Sequence, residues 1–155
     1  MKVEYVNPFL TASKDILVQV GNIALEQKKP FMRKDISLID SIAVVVGVTG
    51  NLKGQIVINF TEETGKKLAS NMMGGMPVAT LDEMAKSAIS ELGNMIMGNA
   101  STKLFDIGIK TDITPPSILA GKEMVYSIKG QDIMCVPFEF EEETIEINIS
   151  VKENK

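Results

Sequence analysis

Displacing the segment Asp15–Asn22 along the chain until position 15 reaches position 87, a shift of 72, lays Asp15 on Ser87, Gln19 on Glu91, Val20 on Leu92, Gly21 on Gly93 and Asn22 on Asn94. A single repeat of that length in 155 residues leaves each copy about half the chain. Both copies open on an apolar helical pattern, and both are followed, after a loop, by extended runs. The expected architecture is therefore a duplicated helix-plus-β-hairpin unit with pseudo-twofold symmetry.

The individual elements follow from local signals. Asn7 reads as a cap with Pro8 in the first helical position, and the apolar pattern then runs from Phe9 to about Leu25 before Pro30. Two Val- and Ile-rich runs, Ile42 to Val48 and Gln55 to Phe60, are joined through Gly50-Asn51, which suits a hairpin. Thr61, followed by Glu62 and Glu63, opens a second helix that ends near Gly74-Gly75-Met76-Pro77. Thr80 with Glu83 three residues on spells a capping box for the third and longest helix, which extends to about Phe105 with Gly108 beyond its end. After a loop at Pro115-Pro116, the segments Met124 to Lys129, Asp132 to Phe140 and Thr144 to Lys152 read as extended. In the last of these, Ile145, Ile147, Ile149 and Val151 alternate with Glu146, Asn148 and Ser150, giving one buried and one wet face. The fold class is α+β, with helices packed on a largely antiparallel sheet in one domain over residues 1–155.

Composition removes several function classes. The net charge is −4, with no Trp and no basic cluster, so the footprint of a nucleic-acid binder is missing. No apolar segment follows the N-terminal residues, and the run Ile42 to Val48 is too short to span a bilayer, which predicts no membrane insertion and a cytoplasmic protein. Cys135 is the only cysteine and there is no histidine, which rules out an internal disulfide and argues against a catalytic thiol or a zinc site. Cys135 reads as a small buried hydrophobe in a strand, and no metal ligands are expected.

The third helix carries the chemistry-bearing residues. At about 100° per residue, Ser87, Glu91, Asn94 and Gly98 share one face, while Ala85, Ile89, Leu92 and Ile96 share the opposite one. A solvated helix face would also carry Glu and Asn. Glycine inside a helix, however, costs about 1 kcal/mol against alanine, so Gly21, Gly93 and Gly98 call for a reason, whether tight packing or close approach of a partner.

Ser87-x-x-x-Glu91-x-x-Asn94 with Gly98-Asn99 trailing resembles the motif of the CheC/CheX chemotaxis phosphatases, and Ile113-Thr114-Pro115-Pro116-Ser117 is similar to the loop after the long helix in CheX-type members. CheC-type members keep two intact motifs and CheX-type members one, on the later helix. This sequence matches the CheX pattern, with Gln19 in place of the first carboxylate and Asp15 and Asn22 as remnants of a degenerate first copy. The resemblance implies hydrolysis of the phospho-aspartate on a response-regulator receiver domain, CheY in chemotaxis, by insertion of the motif helix into the receiver's active site. It also implies a homodimer, for which Thr144 to Lys152 or Met124 to Lys129 is a candidate edge strand.

On that reading the receiver holds Mg²⁺ and a lysine around its phosphoryl oxygens, this chain needs no cofactor, and the missing element is an aligned water. The neutral amide of Asn94, both donor and acceptor, suits that task, and Glu91 would reach the receiver's lysine. Ser87, Gly93, Gly98 and Asn99 are then candidate partner contacts. A non-catalytic receiver-binding or assembly module is the alternative of a different class.

Overall fold

The computed structural model describes all residues, Met1–Lys155. In chain order its elements are α1 (Val3–Gln19), β1 (Glu26–Gln27), β2 (Phe31–Arg33), β3 (Asp35–Gly50), β4 (Leu52–Thr61), α2 (Glu62–Met72), α3 (Glu83–Asp106), β5 (Thr111–Ile113), β6 (Ser117–Ser127), β7 (Ile133–Phe140) and β8 (Glu143–Glu153). The strands form one antiparallel sheet of order β1-β7-β8-β4-β3-β5, with β2 also on β7 and β6 also on β3. Its symmetry is reciprocal. The hairpins β3–β4 and β7–β8 meet through β4–β8, and the outer strand of each pairs with the two strands that precede the other. That exchange is the pseudo-twofold duplication expected from the repeat.

The β3–β4 hairpin forms as expected, pairing Val45 with Val57, and turns at Gly50, whose φ is +101°. Thr61 caps α2, its hydroxyl accepting from the Thr64 N–H at 3.2 Å. Helix α3 is capped by Asp82, which accepts from the Ala85 N–H at 2.9 Å, and not by Thr80; an acidic side chain there complements the positive helix end, and Glu83 becomes the first helical residue. Past its far end Gly108 adopts φ +87°, while the Ile109 N–H donates to Leu104 O and the Gly108 N–H to Phe105 O. This closes α3 in a Schellman turn.

Helix α1 departs from expectation at both ends. It begins at Val3, with Pro8 inside it and no side-chain cap on Lys2, and it ends at Gln19, well short of Leu25. Val6 and Phe9 are both buried, and Lys2 and Tyr5 both bond the carboxylate of Glu153 on β8, so packing outweighs the backbone bond that Pro8 cannot make. At the other end Asn22 turns left-handed at φ +52°, and Asn71 of α2 donates to the Gly21 carbonyl at 3.1 Å.

The helices cover one face of the sheet, enclosing a cluster of 30 buried residues. A smaller cluster of Ile36, Leu38, Ala43, Val57 and Ile133 lies on the other face. Even-numbered Ile36 and Leu38 share that face with odd-numbered Ala43 because Asp40, at φ +45°, resets the alternation within β3. The first half of β3 and the second half of β6 thereby form an arm against the outer face, where the Tyr126 hydroxyl donates to Gln55 Oε1.

Strand β8 lies between β4 and β7 and is an interior strand, so of the two candidate edges only the segment in β6 remains. Cys135 is fully buried in β7, as expected, and burial together with the Glu146 carboxylate pushes its thiol up to about 12. No helix is long and apolar enough to cross a membrane.

Candidate functional site

Helix α3 lies on the sheet through Ala85, Ile89, Leu92 and Ile96, each buried to 2% exposure or less. The face turned away exposes Ser87, Glu91, Asn94 and Gly98 in the expected line. The stripe is longer than the motif, continuing to exposed Met84 at one end and exposed Phe105 at the other. The side chains of Glu91 and Asn94 have no hydrogen-bond or ion-pair partner within the chain. Two polar groups held outward on a rigid, well-capped helix, without internal partners, are available to another molecule.

The stripe forms one side of a groove of about 450 Å³, lined by Ser87, Ser90, Glu91 and Asn94 on α3 and by Ile113, Thr114, Pro115 and Pro116 opposite. Ser101 on α3 bonds Thr111 at the start of β5, Oγ to Oγ1 at 3.1 Å, so the second wall starts near residue 101 and runs back along the helix toward residue 90. Ser90 and this wall are site elements that helical periodicity did not indicate. The Pro115-Pro116 pair was legible as a loop, but its place beside Glu91 depends on the pairing of β5 with β3.

The candidate partner contacts divide. Ser87 and Gly98 lie on the stripe, and a Cβ at Gly98 would meet nothing within 4 Å. Gly93 does not lie on it. It is buried against the sheet, where a Cβ would come within 2.8 Å of Val44 Cγ1, so this glycine admits the sheet and not a partner. Asn99 is half-buried and off the line of the stripe.

The first copy of the motif is dismantled in the backbone as well as at Gln19. Asp15 pairs with Lys103 of α3 at 3.6 Å, Gln19 is the last residue of α1, and Asn22 stands outside the helix. Gln19 and Asn22 therefore share no helix face, contrary to the in-register expectation. No three of the Cys, Asp and Glu side chains cluster as a metal-ligand set.

This geometry sits within a well-populated group of known proteins. Residues 42–139 match the family model described as "Chemotaxis phosphatase CheX". The CheY-P phosphatase CheX of Thermotoga maritima is 35% identical over 152 residues, covering 98% of each chain. A CheC-like superfamily protein from Shewanella sp. PV-4 superposes with a TM-score of 0.88 at 28% identity, over 98% of this chain and 99% of that one. CheX from Borrelia burgdorferi, in a crystal structure of its complex with CheY, BeF₃ and Mg²⁺, gives 0.85 at 31% identity, over 98% and 100%. With the family model, the full-length relative and the matching fold in agreement, the chain belongs to the CheX family of chemotaxis phosphatases.

Proposed function

We propose that this protein hydrolyses the phospho-aspartate of a CheY-like receiver domain in chemotaxis signalling, acting in the cytoplasm as a homodimer. The observation that carries the reading is the outward, internally unpartnered pair Glu91 and Asn94 on one face of α3, beside an open groove. The Thermotoga relative supports the substrate class and the Borrelia relative the partner.

An acyl phosphate on a receiver already has its charge balanced by the receiver's own Mg²⁺ and lysine, so acceleration requires placing a water in line with the bond to be broken. The Asn94 amide accepts a hydrogen bond from that water through its oxygen and donates one through its nitrogen, fixing the water without adding charge. Glu91, one helical turn away, reaches the receiver's lysine and sets the register of the helix against the phosphoryl group. Ser87 and Gly98 border the contact, Gly98 leaving room for the receiver's surface.

The test is the decay of a phosphorylated receiver, with Mg²⁺ present and the protein substoichiometric. Wild type is expected to accelerate decay over many turnovers, Asn94→Ala to lose ~10² to 10⁴-fold, and Glu91→Ala to act chiefly by weakening binding. Complex formation without acceleration would make the protein a docking module instead.

A further inference from the structure

The second wall of the groove is built in an unusual way. Along the edge of β3 the pairing with β5 places Val48 opposite Ile113, but the pairing with β6 places Val45 opposite Ser117. Between those points the 113–117 side has one more residue than β3, and the surplus emerges at Pro115-Pro116, which have no N–H to give to a ladder.

Thr114 holds the base of this bulge. Its N–H donates to Gly47 O at 3.0 Å, and the Gly47 N–H donates not to the Thr114 carbonyl but to its hydroxyl, Oγ1, at 2.8 Å. The side chain thus takes over the reciprocal ladder bond and frees the chain to turn outward. Gly47 is fitted to it, since a Cβ there would lie 3.0 Å from Thr114 Cγ2 and 3.3 Å from Oγ1.

We propose that the double-proline bulge is a second docking contact for the receiver, bearing on the loop beside its phospho-aspartate, and that Thr114 is the positioning residue that sets its distance from Glu91 and Asn94. The inference rests on the receiver reading of the site. Its support is continuity, because Thr114, Pro115 and Pro116 line the same groove as Ser87, Glu91 and Asn94. Pro115 is exposed and conformationally fixed, so pressing a partner against it freezes little chain entropy. Thr114 touches no reacting atom, and its loss is expected in binding and not in chemistry.

The experiment measures kcat and KM for the phosphorylated receiver, and Kd for receiver loaded with Mg²⁺ and beryllofluoride, for wild type, Thr114→Val, Thr114→Ser and Gly47→Ala, with thermal unfolding of each. Thr114→Val keeps the side chain's shape and removes the hydroxyl. It is expected to raise KM and Kd roughly five-fold with kcat within about twofold, the size of one lost hydrogen bond. Thr114→Ser is expected to restore both constants, and Gly47→Ala to raise them by crowding the hydroxyl. Unchanged KM and Kd in Thr114→Val, or a Thr114→Ser variant as impaired as Thr114→Val, would overturn the proposal. If wild type binds the loaded receiver without turnover, the phosphatase reading fails while the Kd series still decides the docking contact. If wild type does not bind, both fail.

Discussion

Gly93 and Gly98 stand five residues apart in α3 and have opposite roles. A Cβ at Gly93 would strike Val44 in the sheet, whereas one at Gly98 would stand in open space. Gly93→Ala is expected to destabilise the protein by about 1–3 kcal/mol through overpacking, read by denaturant unfolding, with the folded fraction keeping its KM. Gly98→Ala is expected to stabilise by up to about 1 kcal/mol from helix propensity while raising KM for the phosphorylated receiver. Equal losses of stability would remove the distinction between a packing glycine and a contact glycine. The residues of the stripe were legible from spacing alone. Gly93 was open to the same reasoning, because a step of two residues from Glu91 rotates by ~200° and points the other way. What spacing could not supply was Thr114, whose hydroxyl belongs to the site through a bond to a residue on another strand.

Long elements with strong periodicity or explicit caps came through in the sequence: α2 under Thr61, α3 up to Gly108, and the hairpins β3–β4 and β7–β8. The two- and three-residue strands β1, β2 and β5 carry too few positions for a pattern, and the first half of β6, following Pro116, has no clean alternation. The start of α1 was hidden because its determinants lie on β8. There the Glu153 carboxylate is brought down to about 2, first by the hydrogen bond from Tyr5 and then by that from Lys2. Glu143, at the start of β8, is also lowered, by hydrogen bonds from Lys67 and Thr64 of α2.

Both carboxylates titrate lower in the folded chain than in the unfolded one. The unfolded state then binds more protons in acid, so their stabilisation is complete above the ordinary carboxylate value of 4.5 and is lost as pH falls below it, in the case of Glu153 toward about 2. Tm measured from pH 7 to pH 2.5 is expected to drop across this window. Glu153→Gln should lower Tm at pH 7 and flatten the drop; an unchanged slope would mean that the clasp between α1 and β8 contributes nothing.

For the whole molecule, the reciprocal sheet leaves β6 as a long edge, and the arm it forms with β3 exposes Val125 at 68% and Ile39 at 64% on one side. An open edge strand flanked by apolar side chains invites pairing, and a second copy related by a twofold axis would cover both. Sedimentation equilibrium is expected to give a dimer for wild type and a monomer for the double variant Ile39→Lys, Val125→Lys, with its secondary structure intact. A monomeric wild type would refute the homodimer. The sequence contained the duplication but not the strand order. Thr144 to Lys152 was one of two candidate edges, with Glu146, Asn148 and Ser150 expected on a wet face. In the interior strand β8, Asn148 and Ser150 are instead buried at 1% exposure and bonded to Val57, Asn59, Gln131 and Asp132, contacts with another strand and a loop that one-sided alternation does not reveal.

The left-handed turn at Asn22 bears on valency. Two gene-level copies of the motif would let one protomer hold two receivers, and Gln19→Glu would look like the single change that restores the second. Because α1 ends at Gln19 and Asn22 lies beyond the helix in a left-handed turn, that variant is expected to keep a titration stoichiometry of one loaded receiver per protomer. The asymmetry is stored in the path of the main chain, where no single side-chain reversal can reach it.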